Sequence, residues 1–411
     1  MLPQSRSPAL ETLPPAARVH VLGAGPVGLL VTALLQSSGR FSVHLYEKRR
    51  DYTRTRMVQL ASYLVADSVA SYCADYVDGE SIEAIFEPSE LEEGLAFRQS
   101  ISPDLMGLLQ EWTRGFCPLN HIERSLSDLI DARQAHPVAR AAGMVTAEEL
   151  AGMLRPGDVV VDCTGTNSVL RHHLMPGAGP ADDANTFKLR LEYALVVTFL
   201  YGQPYDCNEY CKYYKNIENP YYKFIPAVNR TCHDGRITHV TGIVNIPAAD
   251  YERMPSKFDG QWLRLHFPEV AQSMDRFIAK VKMETNGEIL GDLEIVRIPL
   301  DLYRTRNATS RALRRAGADS PFAATSVFLA GDSAMGSPYF QSISLGFECA
   351  MFLAGLLGRE LPPAEMQDRY EQYMYKQWLR VYMRSKMIKH NKDLFECVGD
   401  NFALLEKLHI Y

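Results

Sequence analysis

Three glycines and one acid near the start of the chain have the types and the spacing of a nucleotide site. Gly23, Gly25 and Gly28 follow a short β-prone run and precede a run with helical apolar spacing. In such a turn the glycines permit a tight bend and let backbone N–H groups approach a pyrophosphate at the positive end of the helix. Glu47, which lies 19 residues beyond Gly28, can accept the ribose hydroxyls and favours an adenosine without a 2′-phosphate, as in FAD or NAD. The bland alternative is a purely structural turn.

Asp332 is the second candidate, because it follows a buried strand predicted from Val327 to Ala330. A carboxylate at a strand end can accept a ribityl or ribose hydroxyl. A buried helix is predicted from Ser342 to Leu357, and its first turn would offer free N–H groups to an anionic ring. The alternative is that Asp332 caps a turn and that the helix is plain core.

These residues need an α/β framework to position them. The sequence predicts a strand over Arg18–Leu22, a helix over Val27–Gln36 that Gly39 closes, and a strand over Phe41–Tyr46. The stretch 185–301 is β-rich, with one or two helices over Gln261–Val281. A long helix is predicted over Met366–Glu396. Its bases Lys376, Arg380, Arg384, Lys386, Lys389 and Lys392 predict a solvated face, with Tyr, Trp and Leu turned inward.

The composition narrows the class of protein. At 411 residues, with 46% hydrophobic and 22% charged residues, the chain is typical of globular proteins with two or three domains. No apolar stretch reaches the roughly 18 residues of a membrane span, and the proline-containing first 17 residues lack a secretory signal, so we expect a cytoplasmic location. The net charge of -6 argues against nucleic acid as the main partner.

The eight cysteines contain no CxxC pair and predict reduced thiols rather than a disulfide framework. Cys207, Cys211, Cys232 and His233 lack the spacing of a common zinc finger. We therefore predict no metal site.

The glycine turn with Glu47, the run RTRMVQL from Arg54 to Leu60, and the late GDSA…P…GFE pattern resemble the flavoprotein aromatic hydroxylases. These are single-component FAD monooxygenases of the para-hydroxybenzoate hydroxylase and kynurenine monooxygenase type. The resemblance spans roughly residues 18–358. It implies a Rossmann-like FAD-binding domain of the GR2 type, a β-rich substrate domain and a C-terminal helical segment. The expected division is a flexible tail at 1–17, a discontinuous FAD-binding domain at 18–184 and 302–362, a substrate domain at 185–301, and C-terminal helices at 363–411.

The resemblance also implies roles for single residues. The glycine turn would contact the FAD pyrophosphate, Glu47 the adenosine ribose and Asp332 the ribityl chain. Arg56 would lie over the pyrophosphate or ribityl chain, and Arg124 is similar to the family's arginine that opens a helix near the cofactor. The remaining bases of this cluster, Lys48, Arg49 and Arg50, could form only a charged surface. The expected cofactor contacts are Gly23, Gly25, Pro26, Val27, Gly28, Glu47, Lys48, Arg56, Arg124, Thr164, Gly165, Gly331, Asp332, Ser342, Ile343 and Ser344.

The chain departs from the family's pattern in two places. Thr164 stands where the family has an aspartate, in the segment DVVVDCTGTNSVLR. In the family the corresponding segment helps FAD binding and the encounter with NADPH. Ser342 and Ser344 replace a glycine and an asparagine beside the flavin. NADPH or NADH is the expected reductant, with a partner reductase as the alternative.

The implied activity is insertion of one oxygen atom from O2 into an aromatic or electron-rich small molecule through a flavin C4a-hydroperoxide, as a tailoring step in specialised metabolism. Candidate substrate contacts are Tyr222, Phe224, Tyr339 and Phe340, and no catalytic residue is assigned. One alternative is an FAD-dependent reductase or dehydrogenase that resembles the geranylgeranyl reductases. The other is a non-catalytic flavin-binding interaction protein. The basic late helix could meet an acidic carrier protein or a coenzyme phosphate.

Overall fold

The computed structural model describes residues 17–54, 57–58, 60–74, 85–174, 186–204, 224–232, 236–337 and 342–407. Side chains are described in these ranges except at 57, 74, 172, 224–232, 280–281, 284–285 and 387–407. Three of the predicted substrate contacts, Tyr222, Tyr339 and Phe340, lie outside the described residues, as do Arg56, Cys207, Cys211 and His233. Only the backbone is described at Phe224 and Cys232.

A five-stranded parallel sheet forms the first layer, in the order β12-β6-β1-β2-β5. The register aligns Leu22, Asp162 and Leu329, so β1, β6 and β12 end at the same edge. The turns that follow these three strands therefore emerge side by side, and they contain the glycine turn, Thr164 and Asp332. The strands are β1 Ala17–Leu22, β2 Phe41–Glu47, β5 Ala139–Ala142, β6 Val159–Asp162 and β12 Ser326–Leu329.

A second, antiparallel sheet has the order β10-β11-β7-β9-β8, with β13 paired to β11. Along β7 the alternate residues Leu195, Val197 and Phe199 are buried in a separate apolar core, because successive side chains of a strand point to opposite faces. The other face is turned to the cleft described below. The strands are β7 Thr186–Tyr201, β8 Phe224–Cys232, β9 Ile237–Ile246, β10 Lys257–Asp259, β11 Ile289–Thr305 and β13 Met335–Gly336. A small pair, β3 Met57–Val58 and β4 Cys117–Pro118, completes the strands of the described residues.

The helices cover both sheets. Gly39 closes α1 in the left-handed conformation at φ 64°, as predicted, and the helix predicted at Ser342–Leu357 has those bounds. The helices are α1 Pro26–Ser38, α2 Val69–Ala74, α3 Pro88–Gln99, α4 Pro103–Thr113, α5 Leu119–Ala132, α6 Ala147–Met153, α7 Arg171–Leu174, α8 Ala248–Arg253, α9 Gly260–His266, α10 Pro268–Thr285, α11 Arg311–Arg315, α12 Ser342–Leu357 and α13 Pro363–Lys407. Short 3-10 turns lie at Ser62–Val65, Pro321–Ala323 and Gly331–Ser333.

The prediction of a fully solvated basic face on α13 is wrong at Arg380, which is 4% exposed. Its guanidinium donates to Glu348 of α12 at 2.8 Å and to the Tyr72 hydroxyl at 2.6 Å. Arg98 of α3 reaches the same carboxylate at 3.5 Å. A buried carboxylate needs such partners, so Glu348 keeps its pKa low although burial alone would raise it. The cluster ties α12 to α13.

The predicted α/β class, with a parallel sheet and a separate antiparallel sheet, is confirmed. Within the described residues we find no helix with the length and apolarity that crossing a membrane requires.

Candidate functional site

Backbone packing requires two of the three glycines of the turn after β1. Gly23 has φ 89°, and a Cβ there would lie 2.8 Å from the Cys163 carbonyl oxygen. A Cβ at Gly28 would lie 1.9 Å from the Gly23 carbonyl oxygen, which no side chain can tolerate. Gly25 is different, since its nearest neighbour would be an Arg54 nitrogen at 3.7 Å. The open side of Gly25 faces the cleft, where a bound phosphate could approach the backbone.

Glu47 ends β2 beside this turn. Its Oε2 accepts from the Ala24 backbone N–H at 2.7 Å, and its Oε1 accepts from the Arg49 backbone N–H at 2.8 Å. Burial would raise the pKa of Glu47, but the hydrogen bonds from Arg49 and Ala24 outweigh it and hold the pKa below its ordinary value. Glu47 is therefore an ionised acceptor fixed next to the start of α1.

Two arginines flank the open side of Gly25. A Cβ on Gly25 would lie 3.7 Å from Arg54 Nη2 and 3.9 Å from Arg49 Nη2. Both guanidiniums also reach Glu123, a fully buried carboxylate: Arg54 donates to its Oε1, and Arg49 Nη1 lies 3.6 Å from that oxygen. Positive groups at a helix N-terminus suit a pyrophosphate.

The family resemblance implies cofactor roles for Arg56 and Arg124. Arg56 lies outside the described residues, so its role stays a prediction. Arg124 is exposed, donates to the Tyr52 carbonyl oxygen at 2.9 Å and does not line the cleft. From the sequence, Arg49 is expected to be part of a charged surface, and Arg54 has no assigned role. Their position just past the carboxyl end of β2 was the signal that could have found them.

The loop after β6 is organised by Asp162, which is fully buried. Its carboxylate accepts from the Thr164 N–H at 2.8 Å, the Thr164 hydroxyl at 2.6 Å and the Ser168 hydroxyl at 2.7 Å. Gly165 follows at φ 89° and donates to the Ser333 hydroxyl at 3.3 Å. Thr164 therefore joins this loop to its own strand, and Thr164 and Gly165 both line the cleft.

Asp332 lies exposed in the cleft, on the turn after β12. The Ser342 hydroxyl donates to its Oδ1, and the Tyr303 hydroxyl donates to its carbonyl oxygen at 2.7 Å. Gly331 before it has φ 61° and packs on Val27, since a Cβ there would lie 3.0 Å from Val27 Cγ2. The α1 and α12 ends and the Asp332 turn are thus packed into one cradle.

Most of the predicted cofactor contacts line one cleft of about 1290 Å³. Ser344 is buried, and its hydroxyl accepts from the Ala61 N–H at 2.9 Å. Gly28 and Gly331 pack behind the surface of the cleft. The predicted contacts that line it are Gly23, Gly25, Pro26, Val27, Glu47, Lys48, Thr164, Gly165, Asp332, Ser342 and Ile343.

The opposite wall of the cleft is the free face of the antiparallel sheet, which sequence reasoning did not identify. It is lined mainly by β7, β9 and β11, through Val196, Thr198, His239, Thr241, Ile243, Glu294, Val296 and Ile298. The cleft exceeds the roughly 300–1,000 Å³ of drug-sized ligand sites. It has room for a dinucleotide and a second molecule.

The residues at the glycine end of the cleft have the shape and the chemical groups that FAD binding requires. The backbone at Gly25 is open, two guanidiniums stand beside it, and Glu47 and Asp332 offer acceptors on either side of the α1 N-terminus. Among the side chains that the structure describes, no group of three or more His, Cys, Asp and Glu could hold a metal ion.

Comparison with solved structures supports the fold. The chain matches 2-methyl-3-hydroxypyridine-5-carboxylic acid oxygenase over 93% of both chains, with a TM-score of 0.50 and 14% identity. The chain has the fold of the FAD-dependent hydroxylases. The chain is also similar to a tetracycline destructase (TM-score 0.49, 13% identity, 95% of both chains) and to a Diels-Alderase of pyrroindomycin biosynthesis (TM-score 0.48, 12% identity, 93% of this chain and 77% of that chain). No protein-family model matches the sequence, and no curated protein matches it significantly.

Proposed function

We propose that the protein binds FAD in this cleft and is a flavin-dependent monooxygenase of an aromatic or other electron-rich small molecule. One observation carries the proposal: a single cleft joins the glycine turn, Glu47 and Asp332 to the free face of the antiparallel sheet. The first group suits a dinucleotide, and the second leaves a largely apolar space beside it. The neighbour with the same fold that is named an oxygenase supports the reaction class.

The roles of the binding residues follow from their chemistry. The pyrophosphate would lie on the Gly25 backbone at the N-terminus of α1, with the guanidiniums of Arg49 and Arg54, which are also paired with Glu47 and Glu123, as hydrogen-bond donors beside it. Glu47 would accept from the adenosine ribose, and Asp332 from the ribityl chain.

Bound reduced flavin would supply the activation of dioxygen and the transfer of one oxygen atom to the substrate. The chain's own contribution is burial and electrostatics. The first turn of α12, with Ser342 and Ile343 on the cleft, would direct backbone N–H groups and the positive helix end to negative charge on the ring. Val196, Ile243 and Val296 would keep water away from the reacting atoms.

The finer expectations from the sequence enter as parts of this proposal. We infer that NADPH or NADH is the electron donor, with a partner reductase as the alternative. A carrier protein could deliver the substrate. The reaction would be a tailoring step in specialised metabolism. The contacts predicted at Tyr222, Phe224, Tyr339 and Phe340 stay predictions. The proposed domain division at 18–184 with 302–362, and at 185–301, is supported by two separate apolar cores that follow it closely. Tyr370 and Trp378 join the first core, so part of the C-terminal segment packs on the proposed FAD-binding domain.

The test begins with flavin content. Purified protein incubated with FAD and desalted should show the flavin absorbance spectrum, and Asp332→Ala should lower the retained flavin about ten-fold because one charged hydrogen-bond acceptor is lost. The thermal melting temperature of the variant without flavin should match the parent, since Asp332 is exposed. If the parent protein shows no flavin absorbance after incubation with FAD and desalting, the proposal is wrong.

The reaction class is tested with isotopically labelled dioxygen. Substrate-dependent oxygen consumption with the label in the product supports a monooxygenase. Anaerobic reduction of the substrate without label would instead favour a reductase or dehydrogenase.

A further inference from the structure

A smaller cavity lies away from the proposed FAD cleft, between α3, α12 and α13. Its volume is about 40 Å³, which is room for a few water-sized groups but not for a substrate or a cofactor. Among the described residues, none lines both this cavity and the larger cleft. Its wall is largely apolar and includes Leu91, Phe97, Met351, Phe352 and Leu356. A charged group in such a wall needs a specific partner.

Arg98 of α3 lines this cavity with a side chain that is only 7% exposed. A guanidinium has five N–H donors and keeps its positive charge inside a protein. Within the described part of the chain, Arg98 reaches one acceptor, Glu348 Oε1 at 3.5 Å, and its Nε is buried without a hydrogen-bond partner. The Tyr72 ring, with its centroid 5.0 Å from the guanidinium carbon, covers one face of the group. Arg98 therefore has buried donors that still need an acceptor.

Glu348 is a poor source of that acceptor, because both of its oxygens are engaged more closely by other groups. Arg380 donates to Oε2 at 2.8 Å, and the Tyr72 hydroxyl donates to Oε1. The 3.5 Å contact from Arg98 is at the limit of a hydrogen bond. The Glu348 carboxylate thus serves Arg380 first and Arg98 second.

The carboxylates at the rim of the cavity have cations of their own. Glu90 lies 2.5 Å from Lys376, and Glu93 lies 3.0 Å from Arg359. Both pairs are partly exposed, so water and salt screen them. Arg98 is buried among apolar side chains, where a charge interacts more strongly with its neighbours. A negative charge inside the cavity would therefore be attracted by Arg98 more than it is repelled by the rim.

Two glycines make room for this guanidinium. Gly94 lies one helical turn before Arg98, and a Cβ there would lie 3.1 Å from Arg98 Nη1. On the facing helix, a Cβ at Gly355 would lie 2.9 Å from Phe97 Cδ2. Glycine inside a helix is unfavourable relative to alanine. The close approach of α3 and α12 around the guanidinium accounts for glycine at both positions.

We propose that this cavity binds one small monovalent anion of the size of chloride, which accepts hydrogen bonds from the Arg98 guanidinium and joins α3 to α12 and α13. The volume admits such an ion but leaves no room for a phosphate or an organic acid of several carbons. The proposal is independent of the proposed function, because the anion and FAD would occupy different cavities.

The melting temperature of the purified protein tests this binding. Sodium gluconate, whose anion is too large for the cavity, is replaced stepwise by sodium chloride at constant ionic strength. A ligand that binds only the folded chain raises the melting temperature, so we expect an increase of about 2 °C at saturation. A melting temperature that does not change with chloride would contradict the proposal.

Variants at Arg98 assign the effect to the cavity. Arg98→Met replaces the buried charge by an apolar side chain and should abolish the response to chloride. Arg98→Lys keeps a positive charge and should retain the response. Arg369→Met is the matched control, because it removes an exposed arginine that pairs with Glu365 on α13, outside the cavity, and should respond to chloride like the parent.

Arg98→Met also separates anion binding from a purely structural role. An arginine that serves mainly as a counter-charge for Glu348 would, when lost, lower the melting temperature in gluconate as much as in chloride. For an anion ligand we expect the variant to melt in gluconate at or above the temperature of the parent, because buried donors without an acceptor have been removed.

Crystals grown in sodium bromide give a direct readout, since bromide scatters X-rays anomalously. We expect an anomalous peak beside Arg98 in the parent and none in Arg98→Met. Electron density without an anomalous signal would identify water, and the proposal would be wrong. Flavin retention is measured on the same samples and should be equal in the parent and in all variants, so a failure of FAD binding would not be confused with a failure of anion binding.

Discussion

The two sides of the cleft are built by different means. On the glycine side the backbone decides which residues are possible: a Cβ at Gly28 would lie 1.9 Å from a carbonyl oxygen, and Gly23 and Gly331 have positive φ. On the sheet side alternate residues of β7, β9 and β11 reach the cleft, and many β-branched or apolar residues would fit such positions. The first side is a backbone cradle with a fixed shape, where we propose that FAD binds, and the second is a surface whose side chains can vary.

The largest expected effect breaks the cradle itself. Gly28→Ala should destabilise the protein by about 3 kcal/mol or more, because its Cβ overlaps the Gly23 carbonyl oxygen and the backbone must move. Gly25→Ala should change stability by less than about 1 kcal/mol, since its Cβ has space, but should weaken FAD binding. Urea unfolding and flavin retention measure the two effects. Equal losses of stability would contradict the assignment of Gly25 as the position of ligand approach.

The next effect tests the glycine side of this comparison, where two arginines flank Gly25. Arg54→Gln should weaken FAD binding about ten-fold, because a guanidinium beside the Gly25 backbone is lost. Arg124→Gln is the matched control and should retain flavin like the parent, since Arg124 is exposed away from the cleft. Melting temperatures of the flavin-free variants check that both still fold. If Arg124→Gln lost more flavin than Arg54→Gln, Arg124 would be the cofactor-binding arginine, as the family resemblance implies.

The smallest expected effect is on the pH dependence of stability, and it compares buried histidines of the two sheets. Burial lowers the pKa of His20, and of its neighbour His44, with Arg18, Asp158 and Tyr46 also facing the pair. The unfolded chain takes up protons near pH 6.5 and the folded chain only at lower pH, so stability is complete above about pH 6.5 and falls as the pH drops through that value.

For one such histidine the slope cannot exceed about 1.4 kcal/mol per pH unit. His20→Gln should flatten the acid side of a plot of unfolding free energy against pH more than His239→Gln, because His20 is 2% exposed and His239 is half-buried. An unchanged slope in His20→Gln would contradict this origin of the acid sensitivity.

The sequence predicts the cradle better than the sheet wall, because the signals for the cradle are local in the chain. Glycine spacing, the Gly39 cap and the apolar run of α12 are local signals, and β1, α1, β2 and α12 lie close to their predicted bounds. The wall depends on which residues of β7, β9 and β11 become neighbours through long-range pairing, which no local pattern contains. The prediction that Arg380 is solvated was wrong for a related reason, because its partner Glu348 lies on another helix.

The Glu348 cluster has a consequence for synthesis of the chain. The cradle starts at Gly23, yet β12 and α12 close it, and α12 is held by Arg380 in the last tenth of the sequence. During translation the glycine turn is therefore synthesised long before β12 and α12, the elements that complete the cradle. A truncated product that stops before Arg380 leaves the buried Glu348 carboxylate without its largest counter-charge, so we expect the cradle to close stably only when nearly the whole chain has been synthesised.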